Sequence, residues 1–174
     1  MGNFKKLFLA FILVSGGISV SGKSTSEYRV TNLKSADYIN RTAYYKAMRD
    51  QDKTAVKSQL SDLEKSSDGK LDAFIGAMTM KEAGLGGNPA SKLSLFKKGH
   101  KLLEAAILKE PDNTEYRFLR LMIQENAPGI LGYHSDVEKD SEYIRKSYKS
   151  LPNDVQQAIV DYSKKSKNLK LEVS

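Results

Sequence analysis

Lys5-Lys6-Leu7-Phe8-Leu9-Ala10-Phe11-Ile12-Leu13-Val14-Ser15-Gly16-Gly17-Ile18-Ser19-Val20-Ser21-Gly22-Lys23-Ser24 admits two readings, and they lead to different folds. In the first, Lys5 and Lys6 are the positive region of a secretory signal and Leu7 to Val14 its hydrophobic region. Ser19 and Ser21 then supply the small residues ahead of a cut after Ser21. In the second, the apolar run is a buried strand opening into Gly17-x4-Gly22-Lys23-Ser24, a complete G-x-x-x-x-G-K-[ST] phosphate-binding loop. Gly17 and Gly22 would shape a backbone cradle, Lys23 would reach the outer phosphates, and the Ser24 hydroxyl would hold magnesium. The first reading gives an exported protein, the second an α/β nucleotide-binding NTPase or kinase.

The residues that follow favour the first. A phosphate-binding loop sits between a strand and a helix packed on a parallel sheet, yet Ser26 to Leu33 carries no apolar stripe at helical spacing. Buried parallel strands read as short Val/Ile-rich runs, and none follows Ser24. The best acid after an apolar run is Asp161, behind Ala158-Ile159-Val160 and inside a helical pattern. Leu7 to Val14 is also far short of the roughly 20 residues that span a bilayer, and no longer apolar run follows. The chain is therefore expected to be a periplasmic or secreted product without a transmembrane anchor. The expected layout is a signal peptide over 1–21, a mobile polar leader over 22–34, one helical domain over 35–168, and a tail over 169–174.

The 174 residues, or 153 without the signal, suffice for one domain with a sizeable core. Removing Lys5 and Lys6 lowers the basic count from 28 to 26 against 21 acids, a mild net charge of about +5. Only Lys164-Lys165-Ser166-Lys167 with Lys170 forms a basic cluster. It reads as a solvated helix end that complements the helix dipole, or as a weak contact for an anionic lipid surface; nucleic acid is not an expected partner. Zero cysteines exclude a disulfide scaffold and a thiolate zinc site. Two distant histidines and no suggestive carboxylate pair leave no metal, cofactor or catalytic residue to assign, so the chain is not expected to be an enzyme.

From residue 35 the apolar positions recur with a period near 3.6 and predict an all-α fold of about seven helices. The first, capped by Ser35, faces Tyr38, Thr42, Tyr45 and Met48 inward. The second presents Val56, Leu60 and Leu63 and stops at Ser66-Ser67-Asp68-Gly69. The third presents Leu71, Phe74, Ile75 and Met78 and ends in the glycines after Gly84. The fourth, about Ala90 to Lys109, has two apolar stripes, Leu93-Phe96-Leu103-Ile107 and Leu95-Leu102-Ala106. A helix apolar on two sides is sandwiched between neighbours, so it is the expected centre. Asp112-x-x-Glu115 and Ser135-x-x-Glu138 have the spacing of capping boxes and predict the starts of the fifth and sixth helices. Val137, Ile144 and Tyr148 face inward from the sixth, and Val155, Ala158, Ile159 and Tyr162 from the seventh, which restarts after Pro152. Connections this short favour antiparallel hairpins.

Gly99-x3-Leu103-x2-Ala106-x4-Pro111 resembles the second helix and terminating proline of a tetratricopeptide repeat (TPR), and Tyr116-x2-Leu119-x3-Ile123 resembles the first helix of the next one. Arg120 stands where that family has glycine, and this stretch lies one residue closer to the proline than the family spacing. Pro111 and Pro152 are 41 residues apart rather than about 34, so the resemblance, best over 90–155, implies a TPR-like fold and not a regular array. Arg117-Phe118-Leu119-Arg120-x3-Gln124-x-Asn126-x-Pro128-x2-Leu131-Gly132-Tyr133 also resembles a family of small exported bacterial helical proteins with no assigned activity, which implies export and a helical fold.

Together these readings imply a non-catalytic interaction module that buries a partner's helix or extended segment in a preformed groove. Arg117, Arg120 and Gln124 share one face of the fifth helix at i, i+3 and i+7; they are candidates for binding an acidic peptide, against the ordinary reading of a solvated face. Tyr133 and His134 close a loop that is long for a helical hairpin, and they complete the candidate partner-binding set unless Ile130, Leu131 and Tyr133 merely pin that loop to the core. His100 falls on an apolar stripe and reads as a core or rim residue.

Overall fold

The computed structural model describes residues 39–65 and 69–171. The signal, the leader, the Gly17 to Ser24 motif, the Ser35 cap, Tyr38 and the Ser66 to Asp68 stop lie outside the described residues. Those described form seven α-helices and two short 3-10 turns, with no strand among them. In chain order the helices are α1 Arg41–Arg49, α2 Lys53–Glu64, α3 Asp72–Gly84, α4 Pro89–Lys109, α5 Thr114–Gln124, α6 Val137–Ser147 and α7 Asn153–Ser163. Consecutive helices from α1 to α6 pack against one another, α3 also meets α5, and α1 meets α7.

Helix starts follow from Asx side chains that satisfy otherwise orphaned backbone N–H groups. Asn40 accepts from Ala43 N at 3.1 Å, Asp52 from Thr54 N and Ala55 N, and Asn88 from Ser91 N at 2.9 Å ahead of Pro89 in the first turn. Two expected capping boxes are corrected. The cap of α5 is Asn113, which accepts from Tyr116 N at 3.2 Å, and the Glu115 carboxylate accepts from Arg41 and from the Tyr45 hydroxyl, both at 2.9 Å. α6 begins behind Asp136 with no side-chain cap, and Ser135 Oγ donates to Asp136 instead.

The centre is also different from that expected. α4 buries only Gly99, Leu103, Ala106 and Ile107 and leaves Leu93 43% exposed. α5 is buried at all eleven positions, five of them polar or charged. Hydropathy alone hides this, since a charged residue scores as surface unless its partners are known. Phe118 of α5, fully buried, joins three helices: its ring centroid lies 5.5 Å from Tyr45 of α1 and 5.6 Å from Tyr162 of α7. In α1, Thr42 is exposed and Tyr44, fully buried, takes the inward position, its hydroxyl donating to the Phe74 carbonyl at 2.9 Å. Leu169 is fully buried in the same core, so packing continues past α7.

α3 and α4 form the most closely packed hairpin. A Cβ at Gly76 would stand 2.7 Å from both the Gly99 carbonyl oxygen and Leu103 N, and one at Gly99 would meet the Gly76 carbonyl even more closely. Only glycine at both positions lets the two backbones touch. This is the approach that the small residue in Gly99-x3-Leu103-x2-Ala106 predicts. The contact of α1 with α7 has no counterpart in an open solenoid, where each repeat touches only its neighbours.

Candidate functional site

The polar residues expected on an outer face of α5 point inward. Arg117 is 7% exposed, Arg120 5% and Gln124 0%, so neither the solvated nor the groove-facing reading of this triplet describes their placement. Arg117 donates to Asp140 Oδ1 at 2.9 Å and to the Pro111 carbonyl at 2.8 Å, and its guanidinium lies 4.4 Å over the Tyr143 ring. Arg120 grips both oxygens of Asp140 and bonds Glu104 Oε2 at 2.9 Å. Burial pulls the Arg120 pKa down, but Asp140, Glu104 and Asp136 outweigh it and hold the cation firmly protonated. The two buried guanidiniums are thus paired with the buried Asp140 carboxylate and, at Arg120, with the partly exposed Glu104 and Asp136, which is how buried charge is tolerated.

Tyr133 belongs to this cluster too. It is 7% exposed, donates its hydroxyl to Glu104 Oε1, and stacks edge-on with Phe96 and His100 at 5.7 and 4.7 Å. Burial first, then the Glu104 carboxylate, push its phenol well above the ordinary value. Tyr133 therefore pins the loop, while Ile130, in the 3-10 turn Gly129–Leu131, is 96% exposed. His100 is a half-buried rim residue held by the two rings. Gln124 has no hydrogen-bond partner among the described residues for either side-chain polar atom.

The accessible site lies on another face. A groove of about 980 Å³ opens between the ends of α1 and α3, the start of α4, the end of α5, the Gly129–Leu131 turn and the segment after α7. Met48, Met80, Met122 and Ile123 form much of its floor, with Leu93 and Ile130 on its lips. Those two are among three exposed large hydrophobics of the described residues, the third being Leu108. Exposed apolar surface gathered at one concavity marks a binding site. Of the five residues expected to bind a partner, only His134, which is exposed, lines the groove.

The rim is cationic. Arg49, Lys81, Lys92, Lys165 and Lys167 line the groove, and Glu125 is its one acid. Glu125 is already saturated: it accepts from Tyr162 Oη at 2.6 Å, Ser166 Oγ at 2.8 Å, and Asn168 N and Nδ2 at 2.9 and 2.7 Å. Burial raises its pKa, but these donors prevail and hold the carboxyl below its ordinary value. Lys81 is half-buried and has no ion pair or hydrogen bond among the described residues; burial first and then the nearby Lys165 lower its pKa, against a weaker pull from Asp50. Arg49 and Lys81 end α1 and α3, where cations complement the helix dipole. Lys92 stands in the first turn of α4, where no acid offsets it.

Sequence reading passed over this site because its residues come from six separate places in the chain. Lys165 and Lys167 carried a signal, as members of the C-terminal basic cluster; Lys81 and Lys92 are isolated lysines in otherwise ordinary helices. Among the described residues no group of three or more His, Cys, Asp or Glu is placed to hold a metal, and no helix is long and apolar enough to cross a membrane. Comparison with protein-family models, curated proteins and solved structures gives no match.

Proposed function

We propose that the chain is an exported, non-catalytic protein-protein interaction module, built from TPR-like helical hairpins, that holds a partner in the groove between α1, α3, α4 and α5. The observation that carries this reading is the groove itself, an apolar floor flanked by exposed Leu93 and Ile130. A preformed groove buries a helix or extended segment without making or breaking a covalent bond. The Gly76–Gly99 approach in the α3–α4 hairpin supports the TPR-like description, and the α1–α7 contact limits it to a departure from a regular array. Lys5-Lys6, the Leu7 to Val14 run and Ser19-x-Ser21 support export to the periplasm or beyond. The helical character of every described element supports this reading over a phosphate-binding loop at Gly17 to Ser24, which requires a sheet.

Three experiments test the proposal. The protein recovered from cells should begin near Gly22, and an intact N-terminus from a soluble intracellular fraction would overturn export. Random peptides displayed on phage should be enriched by the purified protein, and the enriched sequences should lose binding to Leu93→Glu and Ile130→Glu, two changes at exposed side chains. Nucleotide binding that disappears in Lys23→Ala would replace this reading with the NTPase one.

A further inference from the structure

We infer that the groove takes an acidic amphipathic segment of another protein, whose carboxylates meet Lys81 and Lys165 while its apolar residues cover the methionine floor. The inference rests on the interaction-module reading and adds the chemistry of the partner. Of the five rim cations Arg49 is paired with Asp50 at 3.0 Å, while Lys81, Lys92, Lys165 and Lys167 make no ion pair among the described residues and face the single acid Glu125, so the groove keeps an excess of positive charge at a concave surface, where field lines concentrate. Lys81 is the most telling member. It is half-buried, makes no ion pair or hydrogen bond within the described residues, and has burial and Lys165 acting against its charge with only a weaker pull from Asp50, so an incoming carboxylate supplies a direct partner. Beneath it, Met48, Met80 and Met122 offer unbranched, polarizable side chains that adapt to a helix of loosely defined sequence.

Other occupants fit less well. The cations come from α1, α3, α4 and the segment after α7, and a single-headed amphiphile such as a fatty acid would neutralise only one of them. A flat anionic bilayer cannot follow a concave floor, and a phosphate backbone has no use for methionine and isoleucine. Residues 22–38 of the chain itself carry Lys23, Arg29 and Lys34 against Glu27 and Asp37, a charge of the wrong sign. A second copy, at a net charge of about +5 once Lys5 and Lys6 are removed with the signal, repels the rim as well.

The test uses the purified full chain and a phage library of random peptides. Enriched peptides should carry net negative charge with apolar residues at i, i+3 or i+4, and as synthetic peptides should bind Lys81→Glu/Lys165→Glu about tenfold more weakly. The same library selected on that double variant should shift toward basic peptides, a reversal that simple loss of structure cannot produce. Lys92→Glu serves as the second variant, and circular dichroism checks helicity in both. Enrichment of neutral or basic peptides by the unaltered protein, or acidic peptides indifferent to charge reversal, would overturn the acidic-partner inference and leave the interaction-module reading intact. So would oleate, phosphatidylglycerol vesicles or a second copy of the chain occupying the groove in a lysine-dependent way in place of peptide. Failure to enrich any peptide would count against the interaction module itself.

Discussion

Arg120 Nε and Nη2 close on the two carboxylate oxygens of Asp140 at 2.7 and 2.9 Å, and this fork joins α5 to α6 beneath a fully buried carboxylate. Asp140 also accepts from Arg117 Nη1 at 2.9 Å, so this one buried acid touches two buried guanidiniums. Asp140→Leu leaves Arg117 without a carboxylate and Arg120 with only the partly exposed Glu104 and Asp136, and should destabilise the fold by about 3 to 5 kcal/mol, the range for removing one partner of a buried pair. Combining it with Arg117→Leu and Arg120→Met should recover most of that loss, because no buried charge is left unpaired. Urea denaturation of the three proteins measures both effects; equal instability of the single and triple variants would contradict the account.

The α3–α4 contact predicts a contrast among glycines. Gly76→Ala and Gly99→Ala would each drive a methyl group into backbone atoms of the facing helix, and overpacking of this kind costs about 1 to 3 kcal/mol, more where backbone cannot yield. Gly84 ends α3, and a methyl group added there would meet nothing within 4 Å. At that position alanine should be neutral or stabilise by about 0.5 to 1 kcal/mol, since it restricts the unfolded chain at no steric expense. Thermal unfolding of the three single variants, followed by circular dichroism, should therefore split them in sign.

These two cases also show what was legible in the sequence. Period and spacing located all seven helices, and Gly99 was readable as a close-approach residue because the resemblance places a small side chain opposite another helix. The burial of α5 was not readable. Arg117, Arg120 and Gln124 score as solvent-facing until Asp140, 20 residues beyond Arg120, is known to lie against the two arginines. The groove escaped for the same reason, since Lys81 and Lys165 become neighbours only when α3 and the segment after α7 converge. Local signals report helices and their ends; charge pairing and surface concavity depend on contacts distant in sequence.

Gln124 offers a test of the interior's tolerance. Both its side-chain polar atoms are buried without a hydrogen-bond partner among the described residues, and it stands one turn from Arg120 on the same helix. An unpaired buried amide costs about 1 to 3 kcal/mol. Gln124→Met keeps length and flexibility and removes the polar atoms, so the denaturation midpoint should rise, by an equivalent of about 1 kcal/mol or more. A fall in stability would mean that the amide is held by an interaction beyond those of the described protein atoms.

Alkaline pH should unfold the protein through its tyrosines. Burial first, aided by neighbouring carboxylates, raises Tyr44, Tyr45, Tyr116, Tyr133 and Tyr162 above their ordinary value of 10.0. A raised folded-state pKa means that, above the ordinary value, the folded chain retains protons that the unfolded chain has released. Their contribution is complete below pH 10 and is lost progressively as pH climbs toward the folded-state values. The denaturant midpoint should fall steeply above pH 10, and tyrosinate absorbance from these residues should appear together with the loss of helical circular dichroism. Tyr133→Phe removes the hydroxyl that Glu104 accepts from, so it should lower stability at neutral pH yet flatten the alkaline decline. Tyrosinate formation that precedes unfolding for all five rings would show that the interior is open to hydroxide, contrary to the packing around Phe118.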